Sequence, residues 1–142
     1  MLLLKQEGIT PSIRRCFVTY LAAHNRPPHE VLFGPAKPLA ESFDREFLGM
    51  TSQEVSLDEL EEVQRTVRNE LPKQLDDAER RFLVSLVSNA PDWTLLDIPH
   101  LSDMPAIRWK LANLERLQRD NKAKFVEQSA ALRDRFGFAE GN

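Results

Sequence analysis

Two helix-start signals lie within residues 56–88, which read SLDELEEVQRTVRNELPKQLDDAERRFLVSLVS. Ser56 and Glu59 have the spacing of a capping box, in which each side chain satisfies a free backbone amide of the first helical turn. Asp76 and Glu79 repeat that spacing further along the chain. Apolar residues at intervals of three and four follow each signal, which is the period of an amphipathic helix. The stretch therefore predicts two consecutive helices.

Pro72 lies between these helices and predicts a kink or an end in the first of them, because proline removes a backbone donor and clashes with the preceding turn. The second helix is predicted to end at about Ser88, just before Asn89-Ala-Pro91. The other predicted helices are one from Pro11, capped by Thr10, to the stop at Asn25–Pro28, a short one over 39–48 before Gly49, one from Pro105 to a break near Asp120 and Asn121, and a last one closed by Gly137.

Residues 26–38 hold four of the nine prolines, and we expect an extended loop there, anchored by Val31, Leu32 and Phe33. One further helical turn is expected at Trp93–Leu96. No alternating apolar and polar run is long enough to predict a strand. These patterns predict an all-α fold, a single compact bundle of about five or six helices with long proline-containing loops. It forms one domain over residues 1–142, with frayed ends at 1–9 and 138–142.

Charge is distributed unevenly along the 142 residues, whose net charge of −3 argues against a general nucleic-acid binder. Residues 40–80 contain twelve acidic and five basic side chains, whereas residues 105–136 contain eight basic and four acidic ones. One interpretation is a dipolar surface that attracts its own other half or a second domain. The alternative is a basic face that binds a partner.

The single cysteine, Cys16, excludes an intramolecular disulfide framework and any multi-cysteine zinc site. It follows the apolar stripe of the first helix, so we expect a buried core cysteine and not a nucleophile. The apolar run after Met1 is too short for a signal peptide or a membrane span. We therefore expect a cytoplasmic protein with no membrane association.

Candidate catalytic and metal-binding groups are few. Pro27 and Pro28 lie between His24 and the adjacent pair His29 and Glu30, so these residues do not share a helix face. His100 is too remote in sequence to be a convincing third ligand. No metal site is therefore predicted. His24 is expected to complete the apolar stripe and to hydrogen-bond a loop carbonyl. The acidic residues 58–62 occupy a helix start, where negative charge is favoured. With no glycine-rich phosphate loop, nucleophile elbow or Asp-x-Asp pair, no catalytic residue is assigned.

Basic residues concentrate on the penultimate helix and the start of the last one. They are Arg108, Lys110, Arg116, Arg119, Lys122 and Lys124. Pairs of Glu115 with Arg119 and of Arg116 with Asp120 are expected to neutralise part of this stripe. Trp109 has the chemistry to stack on a base, but packing against a neighbouring element is the interpretation that the sequence favours.

Several segments together resemble one family. They are FVTYLAAHNRP (17–27), EVLF (30–33), FDREFLGM (43–50), VSLDEL (55–60), ERRFLVSL (79–86), PDWTLL (91–96) and LSDMPAIRWKLANL (101–114). Over about residues 9–136 the chain resembles the C-terminal helical part of AbiEii/AbiGii-type nucleotidyltransferase toxins. In that family a catalytic core carrying Gly-Ser and Asp-x-Asp motifs precedes the helical part, and no segment of this chain matches that core.

The resemblance implies a helical accessory domain on the substrate side of a nucleotidyltransferase toxin, of the toxin–antitoxin or phage-defence type, that is not catalytic alone. The substrate-facing or interface residues expected are Arg108, Trp109, Lys110 and Asn113, together with His24, Asn25 and Arg26. The implied partner is a separate nucleotidyltransferase core or an antitoxin protein, and magnesium and nucleoside triphosphate enter only with that core.

Two alternatives from other functional classes stay open. One is a non-enzymatic interaction module, for example a homodimer, that covers surplus aromatic surface at Phe33, Phe43, Phe47 and Trp93. The other is RNA or DNA binding through the basic C-terminal helices, with an affinity that falls steeply with salt.

Overall fold

Seven α-helices occur in residues 8–47, 49 and 55–138, which are the residues that this computed structural model describes. They are α1 (Pro11–Ala23), α2 (Pro28–Phe33), α3 (Ala40–Ser42), α4 (Leu57–Gln74), α5 (Asp77–Val87), α6 (Pro105–Asp120) and α7 (Lys122–Arg135). Short 3₁₀ turns at Trp93–Leu95 and Leu101–Asp103 connect α5 to α6. No strand occurs in these residues, and the predicted all-α bundle is confirmed.

Both capping boxes in the stretch 56–88 are formed. Ser56 Oγ accepts from Glu59 N at 3.2 Å, and the Glu59 carboxylate accepts from Ser56 N at 2.9 Å. Asp76 and Glu79 make the equivalent pair at 2.8 and 2.9 Å. Because these side chains satisfy amides that have no partner within their own helix, they fix where α4 and α5 begin.

The interpretation of residues 26–38 as an extended loop is wrong for its first half, which forms helix α2 (Pro28–Phe33). Proline is unfavourable inside a helix but well suited to its first position, where the missing N–H costs nothing. Pro28 therefore starts a new helix where the sequence pattern had indicated only a stop. Leu32, which we expected to anchor a loop, lies in the core instead.

The short helix expected over 39–48 is mostly a π-helical turn. Helix α3 lasts three residues and continues into a π turn at Phe43–Phe47. This widened turn brings the rings of Phe43 and Phe47 together at 5.6 Å between centroids. Residue 48 of the predicted helix lies outside the described residues.

Helix α4 continues for two residues beyond Pro72 and ends at Gln74. Arg80 of α5 reaches back to this end and donates from one guanidinium nitrogen to the carbonyl oxygens of Pro72 and Lys73, at 3.4 and 2.9 Å. The last carbonyls of a helix have no partner within it. Arg80 thus supplies the donors that close α4 and joins it to α5.

The core lies between α1, α5, α6 and α7, with α2 on one side. Its buried residues are Val18, Leu21, Ala22, Leu32, Leu75, Phe82, Leu83, Leu86, Val87, Leu101, Ile107 and Leu132. Helix α4 contributes less, because its apolar stripe is buried only at Leu71 and is half-buried at Leu57, Leu60 and Val63. The bundle is therefore centred on α5, and α4 lies at its edge.

The predicted break between the last two helices is confirmed at Asn121, whose side chain accepts from Lys124 N at 3.1 Å and caps α7. Asp120 does not form the expected ion pair with Arg116. Arg119 Nε donates to it at 2.8 Å, and this hydrogen bond lowers the pKa of Asp120. Gly137 ends the last helix with φ of 73°. Of the predicted frayed ends, 1–7 and 139–142 lie outside the described residues, whereas Phe138 N donates to Arg133 O at 3.0 Å.

Candidate functional site

Two segments selected from the sequence meet through one side chain. Lys110 of α6 donates from Nζ to the main-chain oxygen of His24 at 2.6 Å and to that of Arg26 at 3.0 Å. Both carbonyls belong to the turn that follows α1, where the backbone leaves the helix and its oxygens need donors from elsewhere. The ammonium of Lys110 therefore joins the end of α1 to α6 across more than 80 residues of sequence.

A cleft of about 260 Å³ opens beside this junction, between the end of α1, α6 and the start of α7. We call it the lysine cleft. It is lined by Asn25, Pro27, Pro28, Val87, Lys110, Asn113, Leu114, Leu117, Lys124 and Gln128. Its surface combines an apolar part, from two prolines, a valine and two leucines, with a polar part made of two ammonium groups and three carboxamides. None of these lining side chains is acidic.

The charge of Lys110 is buried without a counter-ion. Only 5% of the residue is exposed, and no carboxylate among residues 8–47, 49 and 55–138 forms an ion pair with it. Burial disfavours the charged form of an amine. Accordingly, burial lowers the pKa of Lys110 from 10.5 to about 8. The lysine cleft thus carries a net positive charge that is held in place by two main-chain carbonyls.

Three of the seven predicted site residues line the lysine cleft: Asn25, Lys110 and Asn113. His24 and Arg26 contribute their main-chain oxygens to Lys110, but their side chains do not line it. The His24 ring instead accepts from Arg26 N at 3.1 Å, so the expected bond to a loop carbonyl is wrong. The Arg26 guanidinium pairs with Glu30 at 3.2 Å.

Arg108 and Trp109 are not among the residues that line the lysine cleft, although they directly precede Lys110 in sequence. Successive helical residues are about 100° apart, so the two residues before a buried position point elsewhere. Trp109 is 59% exposed, and the expectation that it packs against a neighbouring element is wrong.

Lys124 and Gln128 line the lysine cleft but were not selected as site residues from the sequence. They are four residues apart on α7 and so share one face of that helix. Lys124 was recognised only as a member of the basic stripe, and nothing in that stripe distinguished it from Lys122. What selects it is the packing of α7 against α6, which the sequence pattern does not specify.

The other residues considered as catalytic or metal-binding candidates do not lie together. Among the described ranges, no three His, Cys, Asp or Glu side chains are grouped so that they could hold a metal ion. His100 pairs with Asp103 at 3.6 Å, in the turn before α6. Cys16 is exposed on α1, so its assignment as a buried core cysteine is wrong. The apolar stripe of α1 passes beside it, through Val18, Leu21 and Ala22.

Comparison with family models, with curated proteins and with solved structures finds no match to this chain. Over the ranges described above, no helix has the length and apolar character needed to cross a membrane.

Proposed function

We propose that this chain is a helical domain on the substrate side of a nucleotidyltransferase toxin, which acts together with a separate catalytic core and not alone. The family resemblance of the segments at 17–27 and 101–114 supplies the class of protein. The observation that carries the proposal is the junction of Lys110 with the main chain of His24 and Arg26. This junction brings the two segments that carry the resemblance together beside one polar cleft.

The character of the lysine cleft supports a role in holding a substrate more than a role in catalysis. Its polar side chains are lysines and carboxamides, which bind and orient anionic or hydrogen-bonding groups. Phosphoryl transfer also requires acidic ligands for a divalent ion, and the residues that line this cleft include none. In the proposed arrangement, these ligands belong to the catalytic core.

An assay of RNA labelling tests this division of work. Cellular RNA is incubated with magnesium and labelled nucleoside triphosphates, together with the purified chain, with the product of the adjacent reading frame, or with both. We expect the adjacent frame to encode Gly-Ser and Asp-x-Asp motifs and labelling to require both proteins. Labelling by this chain alone would overturn the proposal, and so would an adjacent protein whose labelling is unchanged when this chain is added.

A pair of variants shows whether the lysine cleft is the side that faces the substrate. Asn113→Asp places a negative charge in the cleft, and Asn69→Asp places the same charge on the exposed surface of α4. Both substitutions keep the size of the side chain. We expect Asn113→Asp to lower labelling by the combined proteins roughly tenfold, the effect of about 1.4 kcal/mol, and Asn69→Asp to leave it unchanged.

A second candidate function is an interaction module that associates through α3 and α4. Leu39, Phe43, Phe47 and Leu60 line an apolar groove there, and these side chains are half-buried. Groups of partly exposed apolar side chains are typical of binding surfaces. Light scattering over a range of concentrations tests for a homodimer, and a Phe43→Ser variant that returns the mass to one chain would support it.

A further inference from the structure

We propose that the lysine cleft binds a phosphate monoester attached to a flat heterocycle that has hydrogen-bonding groups on its edge. This inference rests on the proposed function in one respect, that the cleft faces a substrate. The ligand chemistry has two sources, a free mononucleotide and the terminal phosphorylated nucleotide of a nucleic-acid strand.

The first argument is the bonding capacity of Lys110. An ammonium group has three N–H donors, and two of them are used by the carbonyl oxygens of His24 and Arg26. No third acceptor for this group lies in the described part of the chain. Because the residue also lines the cleft, the remaining donor is available to an acceptor placed there.

The second argument is charge. A buried ammonium without a counter-ion is unfavourable, and an anion beside it offsets that cost. Lys124 adds a second positive charge to the cleft from the opposite helix, α7. A phosphate monoester carries a charge of about −1.5 to −2 near neutral pH. It therefore matches the two ammonium groups more closely than a carboxylate or a phosphate diester does.

The third argument concerns the part of the ligand that is not phosphate. Pro27, Leu114 and Leu117 give the cleft an apolar surface, and the carboxamides of Asn113 and Gln128 lie on the same lining. A carboxamide both donates and accepts hydrogen bonds, so it can pair with the edge of a heterocycle whose face contacts the apolar side chains. The volume of about 260 Å³ is just below the range of roughly 300–1,000 Å³ typical of small-molecule pockets. A single nucleotide suits this size, and an extended cofactor does not.

Titration of the ¹⁵N-labelled protein with adenosine monophosphate, adenosine and inorganic phosphate tests the proposal. We expect saturable shifts of the side-chain amide signals of Asn25, Asn113 and Gln128 with the monophosphate. Adenosine and inorganic phosphate should each bind at least roughly tenfold more weakly, since each lacks one half of the recognised chemistry. If these signals do not move, or if adenosine binds as tightly as its monophosphate, the proposal is overturned.

Matched charge reversals locate the site. Lys124→Glu changes a lining residue and Lys122→Glu changes an exposed lysine two residues before it, and neither side chain is part of the core. We expect the first to weaken monophosphate binding roughly tenfold or more and the second to change it less than about twofold. Equal losses would mean that the ligand is attracted by general charge, and the assigned cleft would be wrong.

The two sources are separated by the affinity of a short 5′-phosphorylated oligoribonucleotide. It is compared with that of the mononucleotide, and the same strand without the phosphate is the control. Tighter binding of the phosphorylated strand than of the mononucleotide assigns the site to a strand terminus, and the reverse order assigns it to a free nucleotide. Failure of this inference is distinguishable from failure of the proposed function. RNA labelling that needs both proteins, in the absence of monophosphate binding, would remove only the ligand assigned here.

Discussion

Arg14 and Glu79 join the first helix to the centre of the bundle, with Arg14 Nε donating to Glu79 Oε2 at 3.1 Å. The same carboxylate oxygen accepts from Asp76 N at 2.9 Å, as part of the capping box of α5. Glu79 is only 2% exposed. One buried oxygen therefore fixes the start of α5 and the position of α1 against it.

Replacing Arg14 with Met is expected to lower the free energy of unfolding by about 1.5–3 kcal/mol, the contribution of a hydrogen bond to a charged group. The loss comes from a buried carboxylate that keeps its capping amide but loses its cation. Urea unfolding followed by circular dichroism measures it as a lower midpoint with an unchanged slope. Arg15→Met, on the exposed side of the same helix, is the control and should cost less than about 0.5 kcal/mol. Equal losses in the two variants would contradict the role assigned to Glu79.

Phe82 is fully buried in α5, and its ring lies 5.9 Å from that of Trp93 between centroids. Phe82→Ala is expected to cost about 3–5 kcal/mol, because it removes apolar contacts and leaves a cavity. It should also change the emission of Trp93, measured in a Trp109→Phe background so that only one indole contributes. Val126→Ala, at an exposed position of α7, is the control and should alter neither quantity. Unchanged Trp93 emission in folded Phe82→Ala would show that the two rings are not in contact.

The helix boundaries that the sequence predicted correctly depend on local chemistry. Ser56 with Glu59, and Asn121 with Lys124 N, are contacts within three residues, so the sequence pattern contains both partners. The start of α2 was missed for an equally local reason, since two adjacent prolines are compatible both with the end of one helix and with the first turn of the next. Sequence alone does not decide whether the residues after Pro28 find a core to pack against.

The candidate site was only partly predictable because it depends on contacts between distant segments. Lys110 was expected among substrate-facing residues, but its bond to His24 O spans 86 positions. Lys124 enters the cleft through the packing of α7 on α6, which no periodicity specifies. The exposed position of Trp109 was also not predicted. Large aromatic residues are usually buried, and only the orientation of α6, fixed by Ile107 and Lys110, turns this one outwards.

Ser129 illustrates a polar group inside an apolar pattern. It follows Phe125 by four residues and precedes Leu132 by three, so it shares their face of α7, and it is buried with its hydroxyl within 2.9 Å of the carbonyl oxygens of Val87 and Phe125. Val87 is the last residue of α5, so its carbonyl has no partner within that helix. Ser129→Ala should therefore cost about 1–3 kcal/mol through an unsatisfied buried carbonyl. Thermal or urea unfolding measures it, and Ser12→Ala on the exposed face of α1 should be neutral.

The pH dependence of the free energy of unfolding should show that the Lys110 ammonium is buried. Its pKa is about 8 in the folded protein and near the ordinary 10.5 in the unfolded chain, because burial disfavours the charged form. Between these values the unfolded chain binds more protons, so stability contributed by this group rises as pH increases from about 8 to about 10.5. The expected gain is on the order of 1–3 kcal/mol.

Other groups titrate in the same range, so the test compares the wild-type protein with Lys110→Met, using urea unfolding at several values between about pH 7 and about pH 10. The variant leaves the carbonyls of His24 and Arg26 without their donor, so its stability is expected to be lower at high pH. The difference between the two proteins should therefore grow in favour of the wild type as pH rises, since only the wild type loses a buried charge. Parallel profiles would show that the Lys110 ammonium is not buried at an energetic cost.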